Sequence, residues 1–134
     1  MTRINVGVDP REIPKKALNA EHREIVRIPN MVREGRHKNI SKAPKEFTLG
    51  TGHVLFFATR IGYLKRRYQA IYDACIAKNI NVQSFLTAFE GIPEQYMNDY
   101  TPTLSDREKI ITRMNENDYD IEPIEFGQER DVTL

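Results

Sequence analysis

Apolar residues recur at Val54, Phe57, Ile61, Leu64, Tyr68, Ile71 and Cys75, separated alternately by three and four residues. This spacing puts all seven on one stripe of an α-helix and does not suit a strand, whose faces alternate every second residue. It predicts a helix from Val54 to Cys75, with Lys65, Arg66 and Arg67 off the stripe and Asn79 as a C-terminal stop. No alternating run is long enough to build a sheet, so the expected fold is all-α.

Other segments supply partners for that helix. Residues 2–8 read as extended, and Asp9-Pro10-Arg11-Glu12 has the form of a capping box, with Asp as N-cap, Pro at the first helical position and Glu three residues on. Pro14 has no N–H and pushes Ile13 toward extended geometry, so a single turn is expected, then a helix from about Pro14 to Ile28 that Pro29 kinks or ends. Ala17, Leu18, Ile25 and Ile28 form its apolar stripe, continued by Met31 and Val32 if the kink is mild. Residues 35–45 are basic and polar and read as a loop. Val82, Phe85, Leu86 and Phe89 suggest a short third helical segment, and Pro93 and Pro102 bracket a loop. Ser105-Asp106-Arg107-Glu108 reads as a second capping box that opens a last helix through Ile110, Ile111 and Met114. The expectation is a single compact domain of three main helices with long connecting loops over residues 1–117. An acidic tail over residues 118–134 would drape over the surface or be partly disordered.

The 134 residues suit one domain, and their net charge of +1 conceals a strong asymmetry. Residues 1–78 carry 16 Lys and Arg against 7 Asp and Glu, a net +9; residues 79–134 carry 4 against 12, a net −8. Two explanations fit: a polyanionic partner for the basic part, or neutralisation of that part by the chain's own acidic end. The longest apolar run, Val54 to Ala58, is far short of the roughly 18 residues that span a bilayer, and no apolar signal core follows the N-terminus. No membrane association is therefore expected. Cys75 is the only cysteine, which excludes intrachain disulfides and Cys-rich zinc sites and fits a reducing, intracellular compartment.

Three motif-like stretches are set aside. Gly50-Thr51-Gly52-His53 begins like a dinucleotide loop, but the next glycine would fall at Leu55, and neither a P-loop Lys-Ser/Thr nor a strand-then-helix context accompanies it. Asp118, Asp120, Glu122 and Glu129 match ligand positions of a calcium loop, yet Pro123 stands where glycine makes the turn, so a solvated acidic tail is the preferred reading. His22, His37 and His53 are not spaced as ligands on one helix, and each is expected to be a satisfied or exposed histidine. Neither metal nor cofactor is expected.

The informative region is the N-terminus with the first long helix. Thr at the second position is small enough for the initiator Met to be removed, which would leave Thr2 with a free α-amine. Such an amine has an unperturbed pKa of about 7.7–8.0, so it is partly neutral and nucleophilic near neutrality, and neighbouring Arg3 would depress that value further. Arg23 and Arg27 would share a helix face, with Glu24 turned about 100° from Arg23 and near Arg27. Spacing alone favours a solvated helix laced with ion pairs.

Several segments change that weighting. Met1-Thr2-Arg3-Ile4-Asn5, Ala20-Glu21-His22-Arg23-Glu24-Ile25, Phe47-Thr48-Leu49-Gly50-Thr51-Gly52-His53-Val54 with Phe56-Phe57, and Ile92-Pro93-Glu94 through Asp99-Tyr100-Thr101-Pro102 occur in one order over about residues 1–113. Together they resemble the phage endonuclease V family, the pyrimidine-dimer DNA glycosylases with abasic-site lyase activity. The resemblance implies a single all-α domain of three main helices. It also implies that the Thr2 α-amine attacks the anomeric sugar carbon, expels the damaged base and leaves a Schiff base to DNA. Glu24 would then handle protons and stabilise the cationic sugar intermediate, while Arg3, Arg23 and Arg27 contact DNA near the lesion as a nucleotide is flipped out. Lys16-Ala17 stands where the family usually carries Gln-His or a similar polar pair, and Lys16 is assigned to the DNA contacts with these arginines. The chain also lacks Trp, whereas the phage enzymes end in an aromatic Trp-Tyr tail. The implied partner is damaged double-stranded DNA, bound by a monomer in the cytoplasm, or the host cytoplasm if the chain is virus-encoded. Two alternatives stay open: a catalytically silent DNA- or protein-binding relative, and a glycosylase for a different modified base.

Overall fold

The structure is a computed structural model that describes residues 2–36, 40–125 and 127–134. Among the described residues five α-helices follow one another: α1 (Lys15–Glu24), α2 (Arg27–Arg33), α3 (His53–Ala58), α4 (Ile61–Ala77) and α5 (Leu104–Glu116). Short 3-10 turns join them at Pro10–Glu12, Ile40–Lys42, Gly50–Gly52, Leu86–Phe89 and Glu94–Tyr96. Among the described residues there is no strand, only an isolated bridge between Arg60 and Met97, so the fold is all-α with α1, α4 and α5 as its three main helices. No helix among these residues is long and apolar enough to cross a membrane.

The core forms around the N-terminal segment. Ile4, Val6 and Val8 are completely buried, and α1 packs along α4 beside them. Phe57, Ile61, Leu64, Tyr68, Ile71 and Cys75 of the apolar stripe are likewise buried, with Val54 half-buried at its start. The entry expected to be extended over residues 2–8 instead turns at Val6–Gly7, where Gly7 takes a positive φ and Val8 N–H donates to Asn5 O at 3.2 Å. The Asp9 box forms as expected, closing on Glu12 before extended Ile13. Asn79 adopts a positive φ and ends α4 in a Schellman arrangement, in which Ile80 N–H donates to Cys75 and Asn79 N–H to Ile76.

Four boundaries differ from the sequence expectation. The first long helix breaks at Ile25–Val26, ahead of Pro29 itself: Pro29 offers no N–H to the Ile25 carbonyl and its ring crowds that oxygen, so it sits instead in the first turn of α2, where an N–H has no helical partner. The second helix breaks at Thr59–Arg60. There the 95–98 segment wedges against the start of α4: Tyr63 N–H donates to Asn98 O at 3.2 Å and Asn98 Nδ2 to Thr59 O at 2.8 Å. Gly62 permits this approach, since a Cβ there would lie 2.5 Å from Met97 O. The proposed third helical segment is only the 3-10 turn Leu86–Phe89, with Phe89 buried while Phe85 and Leu86 stay at the surface. The last helix begins two residues early, because Thr103 takes the N-cap and pairs reciprocally with Asp106.

Arg67, which lies off the stripe, is fully buried because α4 is covered on more than one side. Its guanidinium meets Glu21 at 2.5 and 3.0 Å and donates to Val8 O at 3.2 Å and to the Leu134 main-chain oxygen at 2.5 Å. Burial by itself lowers the Arg67 pKa, but the Glu21 carboxylate and Tyr63 together outweigh it and the net shift is upward. The acidic end of the chain lies on this side. Glu122 pairs with Lys78 at 2.6 Å, Glu122 N–H donates to Glu12 O, Asp131 N–H donates to Asp9, and Gly7 N–H and Tyr63 Oη donate to Leu134 O. Intramolecular neutralisation therefore accounts for part of the charge asymmetry.

Glu21 and Arg67 are 1% and 0% exposed, so removing either partner strands a charge in the interior. Glu21→Gln and Arg67→Met are each expected to cost about 3–5 kcal/mol in urea unfolding, with the double variant costing clearly less than the sum.

Candidate active site

The site is built where the N-terminal segment crosses α1. Ala17, Leu18, Glu21 and His22 form the buried face of α1, and Glu24, three residues after Glu21, follows it at the helix end. A carboxylate at a helix C-terminus is disfavoured by the helix dipole by about 0.3–1 kcal/mol, so helix stability does not explain Glu24 there. What holds it is the N-terminal segment: Arg3 N–H donates to Glu24 Oε1 at 2.9 Å. Two residues on, Asn5 Nδ2 donates to Glu21 Oε1 at 2.8 Å. Glu21 is thus occupied by Asn5 and Arg67, whereas Glu24 is half-buried at the surface of a cleft.

Arg3, Asn5, Ala20 and Glu24 form one side of that cleft, and Arg113, Met114, Asn117 and Tyr119 the other. It encloses about 70 Å³, room for a few waters at about 30 Å³ each. Arg3 Nε is buried with no hydrogen-bond partner among the described residues. Arg113 Nη2 lies 3.3 Å from Asn5 Oδ1, and burial lowers its pKa, with nearby Arg3 adding to the shift and Glu21 and Glu24 opposing it. Two guanidinium groups thus border the cleft that contains Glu24. A group with a buried, unpaired donor and a second cation alongside is suited to an anionic ligand.

Of the residues singled out from sequence, the structure joins Arg3 and Glu24 directly, and Thr2 precedes Arg3 in a half-buried position. Lys16 and Arg23 are exposed and border an adjacent groove, which shares Ala20 and Tyr119 with the first. Arg27 is exposed at the start of α2, across the helix break from Arg23 and Glu24, so it does not share one continuous helix face with Arg23. Met1 and His37 fall outside the described residues. His22 and His53 are buried and bonded, as expected for satisfied histidines. Sequence reading assigned no role to Asn5 or Arg113. Arg113 is on α5 beside buried Met114, and nothing in the local sequence says that this face of α5 meets the N-terminus. Among the described residues no cluster of His, Cys, Asp and Glu could hold a metal ion.

The sequence model of the pyrimidine dimer DNA glycosylase family matches residues 1–88. The chain belongs to this family. The match takes in the N-terminal segment, α1 to α4 and Glu24; α5, with Arg113, and the acidic end lie beyond it. Membership supports a glycosylase function in DNA repair in general terms.

His53 Nε2 accepts the Ile4 N–H at 3.0 Å, and Nδ1 lies 3.0 Å from Thr48 O. Burial lowers the His53 pKa to about 4; the Thr48 hydrogen bond and Glu21 oppose this, and Arg113 adds to it. His22 is also lowered, chiefly by burial. A buried neutral histidine binds its proton in the unfolded chain before it does so in the folded one, so stability is fully present above about pH 6.5 and declines toward pH 4. For His53 the expected loss is about 3 kcal/mol. Urea unfolding at pH 7 and pH 4.5 measures it, and His53→Gln should flatten the dependence.

Proposed function

We infer that the chain is a DNA glycosylase with abasic-site lyase activity on pyrimidine dimers in duplex DNA. The observation that carries this reading is the 2.9 Å hydrogen bond from Arg3 N–H to Glu24, which holds the chain end beside a carboxylate in a cleft bordered by Arg3 and Arg113. With Met1 removed, the Thr2 α-amine is the nucleophile. Its nitrogen bonds to C1′ of the damaged nucleotide, the bond from C1′ to the base breaks, and the base departs with the electron pair and takes up a proton. The amine's proton passes to Glu24. Glu24 returns a proton to O4′ as the C1′–O4′ bond opens, and the nitrogen lone pair forms the C1′ imine. Loss of a C2′ proton then breaks the C3′–O bond, releasing the 3′ phosphate and cutting the strand.

Arg3 and Arg113 supply positive charge where the phosphate and the leaving group carry negative charge. Lys16, Arg23 and Arg27 are assigned to phosphates along the flanking duplex, holding it while a nucleotide is extruded. The scheme needs neither metal nor cofactor, and it operates in a monomer. Residues 1–117 are taken as the catalytic domain and residues 118–134 as an acidic tail packed against it, which contributes Tyr119 to the cleft. An intracellular setting follows from a DNA substrate.

Borohydride added to the Met-processed protein with abasic-site duplex is expected to trap a covalent adduct, and peptide mapping should place the link at Thr2. Absence of an adduct sinks the Schiff-base reading. In a second test, Glu24→Gln should keep the fold and most of the DNA affinity while slowing base excision by roughly 10²–10⁴. Excision at the parental rate would return Glu24 to a purely structural role.

A further inference from the structure

The chain end that carries the proposed nucleophile belongs to no helix or sheet, yet a reacting group must be held to within about 0.5 Å to be productive. Two consecutive amides are fixed just inside it. Arg3 N–H is held by Glu24, and Ile4 N–H by Nε2 of His53 on α3.

His53 is itself held on every side. Its Nδ1 faces Thr48 O at 3.0 Å, an acceptor that requires the proton on Nδ1 and leaves Nε2 with a free lone pair. The ring stands edge-on to Phe47, with centroids 5.7 Å apart, and to Phe57 at 5.3 Å. The Gly50–Gly52 turn draws Thr48 toward the start of α3, and a Cβ at Gly52 would lie 2.8 Å from the Thr48 methyl and 2.7 Å from Pro44. The imidazole is therefore a rigid strut between the Thr48 carbonyl and the Ile4 amide. A water or a flexible side chain would satisfy the same amide without fixing its position.

We propose that His53 is a positioning residue for the glycosylase reaction: by accepting the Ile4 amide it sets the direction in which residues 2 and 3 leave the core, and so holds the Thr2 α-amine at Glu24. It acts through the N-terminal segment and does not touch the substrate. The inference rests on the reading of Thr2 as nucleophile. It also gives Gly50-Thr51-Gly52-His53 a purpose that nucleotide binding did not.

The test compares the parent with His53→Phe, which keeps the ring and its aromatic packing but cannot accept, and with His53→Gln, which keeps a flexible acceptor. Three quantities are read on the full chain: the single-turnover rate of borohydride trapping on abasic-site duplex, the Kd for that duplex, and hydrogen exchange at the Ile4 amide. The Phe variant is expected to trap about 10²-fold more slowly with a Kd close to the parent's, the Gln variant to lie between the two, and Ile4 exchange to accelerate in the Phe variant. Trapping by the Phe variant at the parental rate overturns the proposal, as does an equal loss in both variants that tracks their melting temperatures. Should the Phe variant fail to melt cooperatively, the Gln variant decides: slower trapping at parental Kd supports the proposal, and parental trapping overturns it. If the parent forms no adduct, the nucleophile reading has failed and the positioning role falls with it. Protection of the Ile4 amide then shows separately whether the strut exists, so the two failures are distinguishable.

Discussion

A buried segment outside any helix or sheet has to find other partners for its backbone N–H and C=O groups, because each unpaired group costs about 1–3 kcal/mol. Residues 3–9 of this protein are such a segment, turned at Val6–Gly7, where Val8 N–H donates back to Asn5 O and Gly7 N–H to Leu134 O. Glu24 takes the Arg3 amide and His53 the Ile4 amide, Arg107 donates to Gly7 O, Arg67 to Val8 O, and Glu12 takes the Asp9 amide. These side chains come from α1, α3, α4, α5 and the first 3-10 turn, so one short thread ties four of the five described α-helices together. The apolar side chains of Ile4, Val6 and Val8 provide the driving force for burial, and the polar ring around them makes it affordable.

That arrangement explains why so many charges lie inside a chain of this size. Arg67 with Glu21 and Arg107 with Glu12 are bidentate pairs that each also donate to the thread's backbone. Pairs of this kind seldom add net stability over apolar packing, but they fix geometry, since displacing one partner leaves the other charged and unsolvated. The acidic end of the chain joins the same system through Leu134 O and Glu122. Part of the opposite charge in the two halves is consumed in this way. The cations that border the cleft and its neighbouring groove are Arg3, Arg113, Lys15, Lys16 and Arg23.

Stability and proposed chemistry therefore draw on the same contacts. Glu21 and Glu24 are three residues apart on one helix, yet Glu21 is locked between Asn5 and Arg67 while Glu24 spends one oxygen on the Arg3 amide and stays at the cleft. Burial separates their roles, and the chain trace through Asn5 and Arg3 decides which carboxylate receives which duty.

Much of this was legible in the sequence because it depends on local chemistry. Apolar spacing, the absence of alternation, the Asp9 capping box and the Asn79 stop follow from backbone geometry within a few residues, and they sufficed for an all-α fold. Glu24, Arg3 and Arg23 could be singled out because they lie in contiguous N-terminal motifs. Tertiary structure decided what depends on contacts across the chain. Whether Pro29 breaks its helix at Ile25 turns on the carbonyl four residues upstream, and whether the Val54–Cys75 helix is continuous turns on a loop more than thirty residues later that inserts beside Gly62. Arg67 read as a surface cation until its partners, 46 residues away at Glu21 and 67 away at Leu134, were in place. Arg113 carried no local signal for the same reason, since it meets residues 4 and 5 only in the folded chain, and the Gly50–His53 motif gave no sign that His53 accepts the Ile4 amide.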